Sequence, residues 1–399
     1  MSTDLLLELL GGLAPQTFMR RYWQREPLLI RQAIPGFRPP LSIADIRQLV
    51  RREEVESRLI WHDAGGWNMK SGPFSRLPAA KRKNWTLLAQ SVDLHDDAIA
   101  ALMHRFRFIS DARLDDAMIS IAGDGGGVGP HFDSYDVFLL QAVGRRRWRI
   151  SRQRDLSLEP GLPLKILKNF HAEREYVLEA GDMLYLPPQV AHDGVAIGDC
   201  MTISVGFRAP SLATLARGML EAAGDQLMAR HGDFGGLYGN PPLPGPALAG
   251  IVRDAGTPAT TTPARLPDTL ISAALDAVGR IRFDPALAAR FLGQWLTDLS
   301  PNAYFDPAEE PLDLSAGAPA AGWLTLDRCT RLAYRDRQLF INGEVAPVPA
   351  KKAFRELADT RRLRCSRALS GALDADDLRV LTDWLREGWL HYRPGPAPG

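Results

Sequence analysis

Residues 123–150 read GDGGGVGPHFDSYDVFLLQAVGRRRWRI, and no other stretch restricts the fold as much. Gly125, Gly126, Gly127, Gly129 and Pro130 predict an irregular approach loop. His131 and Asp133 follow, and in extended backbone residues two apart project from one face. An apolar strand over 137–142 comes next, and Val143-Gly144 predicts a tight turn that reverses the chain into residues 145–150. An imidazole and a carboxylate aimed together offer two ligands to a divalent metal. A 2-His-1-carboxylate facial triad needs one further histidine and leaves coordination positions open for small molecules.

The candidate for that histidine is His192, 61 residues after His131. Gly181-Asp182 predicts a turn, residues 183–186 a short apolar strand, and Pro187-Pro188 its end, so that His192 falls in the following loop. A histidine and an acid two apart arise often by chance; joined to a turn–strand–proline–histidine segment, the pattern becomes specific. On the strand after Gly144, Arg146, Trp148 and Ile150 share one face, while Arg145, Arg147 and Arg149 share the other. The second set reads as a solvated basic face. Arg146 is then a cation on an apolar face, which is costly without an anion. Its partner is either an internal carboxylate or the distal carboxylate of a bound dicarboxylic acid, gripped by the planar guanidinium. A hairpin about Val143-Gly144 sets Arg146 opposite Gln141. At about 3.3 Å per residue that puts it roughly 26 Å from Asp133, unless the strand bends sharply near Tyr135.

The segments GGGVGPHFDSYDVFLLQAVGRRRWRI, GDMLYLPPQVAHDG and SVGFRAP resemble the Jumonji-C (JmjC) ribosomal oxygenases. The similarity is to the bacterial branch that 3-hydroxylates an arginine of a large-subunit ribosomal protein, the sixteenth of its series. FMRRYWQREPLLIRQ and SRLIWHDAGGWNMKSGPF are similar to the same family, so the resemblance covers about the first 208 residues. It implies a double-stranded β-helix (jelly-roll, cupin) barrel, with Fe(II) held by His131, Asp133 and His192 and with 2-oxoglutarate and O2 as co-substrates. It places the 2-oxoglutarate anchor at Arg146, with Ser120 as hydroxyl partner. It sets Asp116, Met118 and Tyr135 beside the substrate arginine; read from the residues alone, the paired acids 115 and 116 are solvated loop positions. Ser204, on a strand over 201–207, is a further pocket candidate.

The 399 residues are too many for one ordinary domain. Hydrophobic content of 45% supports a sizeable core. With 48 basic and 47 acidic residues, the net charge of +1 provides no global field toward nucleic acid. The three cysteines form neither a disulfide framework nor a zinc motif, which suits a reducing cytoplasm. The leucine-rich start is interrupted by Glu8 and does not read as a signal peptide, and no apolar run reaches membrane-spanning length.

In chain order, Ser42 reads as the N-cap of a helix over 43–51, residues 58–61 as strand, and His62-Asp63-Ala64-Gly65-Gly66 as a hairpin loop rather than a metal site. Helices are expected over 85–92 and 98–106. Short strands broken by turns over 114–207 suit a jelly roll. Ser211 can cap a long helix to about residue 230, and helices over 267–278 and 285–299 follow between proline-rich loops. Three such helices have little core of their own and read as a dimerisation region, or else as a cap on the barrel. A Pro- and Ala-rich linker over 306–322 precedes short strands over 331–334 and 338–341, then Asn342-Gly343, a hairpin signal where its flanks are extended, helices over 350–357 and 374–386 and an extended piece near 389–392. The expected fold is therefore α+β: a catalytic domain over 1–208, a helical dimerisation region over 209–304 and a winged-helix-like domain over 305–399. From Trp323 onward 14 basic face 10 acidic residues, which favours a protein-contact or structural role for the winged helix over nucleic-acid binding. The function expected is oxidation of an arginine of the ribosomal protein in the cytoplasm by a homodimer. The rivals are the same chemistry on another residue, such as histidine, or on a small molecule, and a non-catalytic cupin sensor with a DNA-binding winged helix.

Overall fold

The structure, a computed structural model, describes residues 3–79, 81–245, 247–314, 319 and 321–395. Pro246 and most of the linker expected over 306–322 beyond residue 314 lie outside them. The chain divides into two compact units, Met1–Ala209 with Asn302–Tyr304, and Pro210–Pro301 with Phe305–Gly399.

The first unit is a nine-stranded antiparallel barrel. Its strands are β1 (Leu28–Ile30), β2 (Ser57–Asp63), β3 (Gly66–Ser71), β4 (Trp85–Ala89), β5 (Leu114–Ala122), β6 (Asp136–Ser151), β7 (Arg174–Leu178), β8 (Met183–Leu186) and β9 (Ala191–Phe207). Three short helices, α1 (Pro15–Arg21), α2 (Ile43–Leu49) and α3 (Asp97–His104), cover it. The strand order is β1-β8-β6-β9-β5-β4-β2-β3, with β7 also on β6. Ser42 caps α2 as expected, in a capping box with Asp45.

Three expectations are corrected here. Val143-Gly144 does not reverse the chain: β6 runs on for 16 residues, and two register shifts against β9, at Gln141/Val143 and Val143/Arg145, mark bulges. Gly144 is needed there, because φ is +64° and a Cβ would lie 2.2 Å from the Asp199 carbonyl oxygen. A turn dipeptide and a bulge place the same demand on a glycine, so the sequence does not separate them. The bend that the distance argument asked for near Tyr135 therefore falls at residues 141–145. His192 is not in a loop but is the second residue of β9. The expected helix over 85–92 is β4, whose five residues are all buried between β2 and β5; a strand covered on both faces shows no alternation.

The barrel core packs Phe18, Phe106, Phe138, Tyr185 and Phe207 between the lead-in and one sheet. A second apolar cluster, including Val137, Leu139, Trp148, Ile150 and Leu186, fills the interior beside the site. Asp182 fastens the entry segment: its carboxylate accepts from the Gln32 and Glu179 amides at 2.9 and 3.1 Å and from Arg31 at 2.6 Å. Burial pushes its pKa up, but these donors outweigh it and hold the group below the usual carboxylate range.

In the second unit α4 (Leu212–His231), capped by Ser211, α5 (Asp268–Gly279) and α6 (Pro285–Thr297) precede two three-stranded sheets. These are β10 (Trp323–Leu326) between β14 (Arg362–Arg364) and β15 (Leu390–Arg393), and the meander β11 (Leu332–Arg335), β12 (Gln338–Ile341) and β13 (Glu344–Val345). Asn342 and Gly343 both take positive φ in the expected hairpin turn. Helices α7 (Lys352–Thr360), α8 (Arg367–Ala372) and α9 (Ala375–Arg386) complete a core around Phe354, Leu357, Leu381 and Trp384. The α4/α6 region has a small core of its own, with Ala222, Ala223, Tyr238, Leu287 and Phe291.

Candidate metal centre

His131 and His192 face each other across a short antiparallel bridge: each backbone amide donates to the other's carbonyl, at 2.9 and 2.7 Å. This clamps the loop before β6 to the start of β9 and brings the rings to 4.2 Å between centroids. Each Nδ1 lies 2.9 Å from a backbone carbonyl, Gly129 for His131 and Val190 for His192. A carbonyl only accepts, so each Nδ1 carries the proton and each Nε2 presents a lone pair. Asp133 completes the group, with Oδ2 3.7 Å from His192 Nε2. One ligand atom from each of the three lies within 4.8 Å of the others. Burial, and then the neighbouring His131, lower the His192 pKa to about 4 against the pull of Asp133, so the ring is neutral near pH 7. Two imidazole Nε2 atoms and one carboxylate oxygen fit a divalent first-row metal that prefers nitrogen and oxygen ligands.

Arg146 is 3% exposed on the interior side of β6. Among the described residues no carboxylate pairs with it. Among the described residues the one hydrogen bond of its guanidinium is from Nη2 to the Cys200 sulfur at 3.5 Å and its Nε has no partner; the guanidinium carbon lies 5.8 Å from the Trp148 ring centroid. The pairing of β6 with β9 explains its position: Arg146 is opposite Ala196, Trp148 opposite Gly194 and Ile150 opposite His192. The Trp148 ring is in turn 5.8 Å from that of His192, so the three side chains form one row from the cation to the triad. An internal carboxylate, one of the two partners left open by the sequence, is absent among the described residues. Ser120, Thr202 and Gln141 are buried alongside, and Thr202 donates to Gln141 at 3.0 Å. Ser120 and Thr202 are cross-strand neighbours, as are Met118 and Ser204.

Asp116 and Tyr135 come together at Gly206, where a Cβ would meet Asp116 Oδ1 at 3.2 Å and the Tyr135 ring at 3.9 Å. The other Asp116 oxygen accepts from Gln90 Nε2 at 2.6 Å and the Ser91 amide at 3.1 Å. Burial, and then Asp115, raise its pKa against those donors. Burial and the carboxylates of Asp133, Asp116 and Asp115 push the Tyr135 hydroxyl up as well, so it stays protonated and a donor. Behind them Asp93, brought to about 7 mainly by burial, accepts from the Ala117 amide at 2.8 Å.

Sequence reading passed over Trp148 as a bare face partner and missed Gly194, Cys200, Gln90 and Asp93. Alternation along β6 put Trp148 beside Arg146; only the register with β9 puts it beside His192. For Gln90 and Asp93 no motif signal exists.

A barrel that carries two histidines and an aspartate beside a buried, carboxylate-free arginine defines a metal-site cupin. Residues 101–215 match the family of the JmjC domain and residues 280–391 the ROXA-like winged helix. Over residues 101–215 the chain is thus similar to JmjC domains. It is 39% identical over 229 residues to the ribosomal protein uL16 3-hydroxylase of Escherichia coli, covering 57% of this chain and 60% of that protein. A probable ribosomal oxygenase of Haemophilus influenzae is 36% identical over 212 residues, 52% of each chain. The matched region thus spans between half and two thirds of these curated relatives. Solved structures match at greater length. The E. coli ribosomal oxygenase YcfD in complex with cobalt and 2-oxoglutarate superposes with a TM-score of 0.77 at 28% identity, over 97% of this chain and 99% of that one. YcfD with cobalt and succinic acid gives a TM-score of 0.76 at 29% identity, over 97% and 99%. Among the described residues no helix is long and apolar enough to cross a membrane.

Proposed function

We propose that this protein is an Fe(II)- and 2-oxoglutarate-dependent oxygenase that hydroxylates C-3 of an arginine in ribosomal protein uL16. The observation that carries the chemistry is Arg146: a buried guanidinium without a carboxylate partner among the described residues, in line with a His-Asp-His group. The names of the E. coli relatives support the co-substrate and the substrate.

In this reading His131, Asp133 and His192 hold the metal through two Nε2 atoms and one carboxylate oxygen. Bound iron, with O2 and 2-oxoglutarate, supplies oxidation of an unactivated C–H bond, releasing succinate and CO2. Arg146 takes the far carboxylate of 2-oxoglutarate, with Ser120 as hydroxyl partner, and so aims the 2-oxo acid end at the triad. The Gly129 and Val190 carbonyls keep both imidazoles in the ligating tautomer. The apolar cluster around Val137, Leu139, Trp148 and Ile150 keeps water out. Asp116 accepts from the substrate guanidinium while Gln90 and Ser91 hold the carboxylate still, and Tyr135, Met118 and Ser204 line the path of its stem.

The three-part division drawn from the sequence is retained as part of this proposal, with residues 209–304 pairing two copies. Support comes from α5, none of whose residues is buried although Leu270, Ile271, Leu275 and Val278 are apolar. The winged helix serves protein contact rather than nucleic acid, and three free cysteines suit a reducing cytoplasm. The test is mass spectrometry of the purified ribosomal protein after incubation with enzyme, Fe(II), 2-oxoglutarate and O2. A gain of one oxygen on a single arginine is expected. No gain, or a gain on a histidine, overturns the substrate assignment.

A further inference from the structure

Trp148 is 5% exposed, and its Nε1 is buried with no hydrogen-bond partner among the described residues. Indole N–H is a donor only, and leaving it unpaired inside a protein costs free energy that a phenylalanine at the same place would avoid. The ring is nevertheless held firmly in one orientation. A Cβ on Gly194 would come within 2.6 to 2.9 Å of Cζ3, Cη2 and Cε3, so the six-membered edge of the indole occupies the space that only a glycine leaves. The Nε1 edge is the opposite one and faces away from Gly194. The Arg146 Nε is also unpartnered among the described residues, and the guanidinium carbon and the His192 ring each lie 5.8 Å from the centroid of the Trp148 ring. Two unpaired donors, one of them a full cation, thus lie in the row that ends at the triad. A water molecule would satisfy an N–H but would leave the charge of Arg146 without a counterion. A carboxylate satisfies both.

We propose that Trp148 is a further binding residue for the co-substrate, its indole N–H donating to a carboxylate oxygen of the bound dicarboxylic acid. This rests on the 2-oxoglutarate reading above and adds to it. The slot would then select its acid by two donors of different kinds, a planar cation and a fixed neutral N–H. The order Arg146, Trp148, His192 matches an acid long enough to reach from anchor to metal.

The test uses the full-length protein loaded with Mn(II), which allows binding without turnover, titrated with 2-oxoglutarate by calorimetry. Trp148→Phe keeps the ring against Gly194 and removes the donor. We expect its 2-oxoglutarate affinity to fall roughly tenfold to a hundredfold, as for loss of a hydrogen bond to a charged group. Its Mn(II) affinity should stay within about twofold. Equal 2-oxoglutarate binding by Trp148→Phe and wild type overturns the role of Trp148 and leaves the co-substrate reading intact. Failure of the wild type to bind 2-oxoglutarate overturns both. Should Trp148→Phe not fold, the wild-type protein loaded with Zn(II) gives the answer. One of the nine indole N–H resonances must move downfield on addition of 2-oxoglutarate, and no movement in any of them overturns the proposal.

Discussion

Two arginines are buried almost equally in the two units, and they are buried for different reasons. Arg290, 2% exposed on α6, donates from Nη1 to the Pro241 carbonyl at 2.6 Å, and burial lowers its pKa. Its neighbours behave alike: Gln294 donates to the Leu237 carbonyl, and Gln226 donates to that of Tyr238 and accepts from the Leu243 amide. Buried polar side chains of the helical region therefore lash a loop whose prolines carry no backbone donor, which helps to hold helices with so small an apolar core together. Arg146, 3% exposed, is tied to nothing stronger than a thiol and an aromatic face. Arg290, although its Nε is unpartnered too, ties its charge to an oxygen of its own unit; Arg146 holds its charge ready for a ligand.

The largest effect expected is at the triad. His131→Ala or Asp133→Ala should reduce 2-oxoglutarate turnover to background while thermal unfolding stays cooperative. Turnover at the wild-type level in either variant would remove the metal assignment.

The comparison of the two arginines is tested directly by paired substitutions. Arg146→Leu should weaken 2-oxoglutarate binding roughly a hundredfold or more, since a buried charge pair is lost. It should leave the melting temperature equal or higher, because an uncompensated cation leaves the apolar interior. Arg290→Leu should do the reverse, costing about 1–3 kcal/mol of stability with an unchanged Michaelis constant. A drop in stability for Arg146→Leu without a change in binding would make both arginines structural.

Asp116→Asn comes next. It removes the charge facing the substrate guanidinium but keeps one acceptor oxygen for Gln90 and Ser91, so peptide hydroxylation should lose about 1.5–3 kcal/mol of transition-state stabilisation. Metal and 2-oxoglutarate binding should be untouched. A lysine in place of the peptide's arginine should fail as well, since an ammonium cannot reproduce the planar fork. Equal rates on the lysine peptide would sink the arginine assignment.

Local chemistry carried most of what could be read in advance. The spacing of His131 and Asp133, the segment ahead of His192, the cap at Ser42 and the Asn342-Gly343 turn are properties of short stretches, and short stretches announced them. The misreadings share one cause. A glycine at a bulge looks like a glycine at a turn, and a strand covered on both faces looks like a helix, because neighbours across the sheet make the difference. The same cause hid Trp148, which touches His192 only through the fourteen-position register of β6 on β9. It left the partner of Arg146 open, too, since the absence of a carboxylate is a fact about the space around a residue.

The smallest effect sharpens the comparison from within the barrel unit, where Asp182 is a charge as fully partnered as Arg146 is not. Its side chain is almost wholly buried, yet two amides and Arg31 meet its oxygens. Asp182→Asn keeps the shape and part of the accepting capacity but loses the charge, so at pH 7 it should cost about 1–2 kcal/mol, limited by the half-exposed state of Arg31. The sign of the pH dependence follows from the lowered pKa in the folded protein. The charged form binds its partners more tightly than the protonated form, so the contribution is complete above the ordinary carboxylate pKa. It disappears as pH falls through the depressed folded value. Melting curves of wild type and Asp182→Asn should therefore converge on acidification below about pH 4, where the unfolded carboxyl begins to protonate. If Asp182→Asn changed 2-oxoglutarate affinity and left stability alone, partnered and unpartnered charges would not divide between structure and ligand as Arg290 and Arg146 imply.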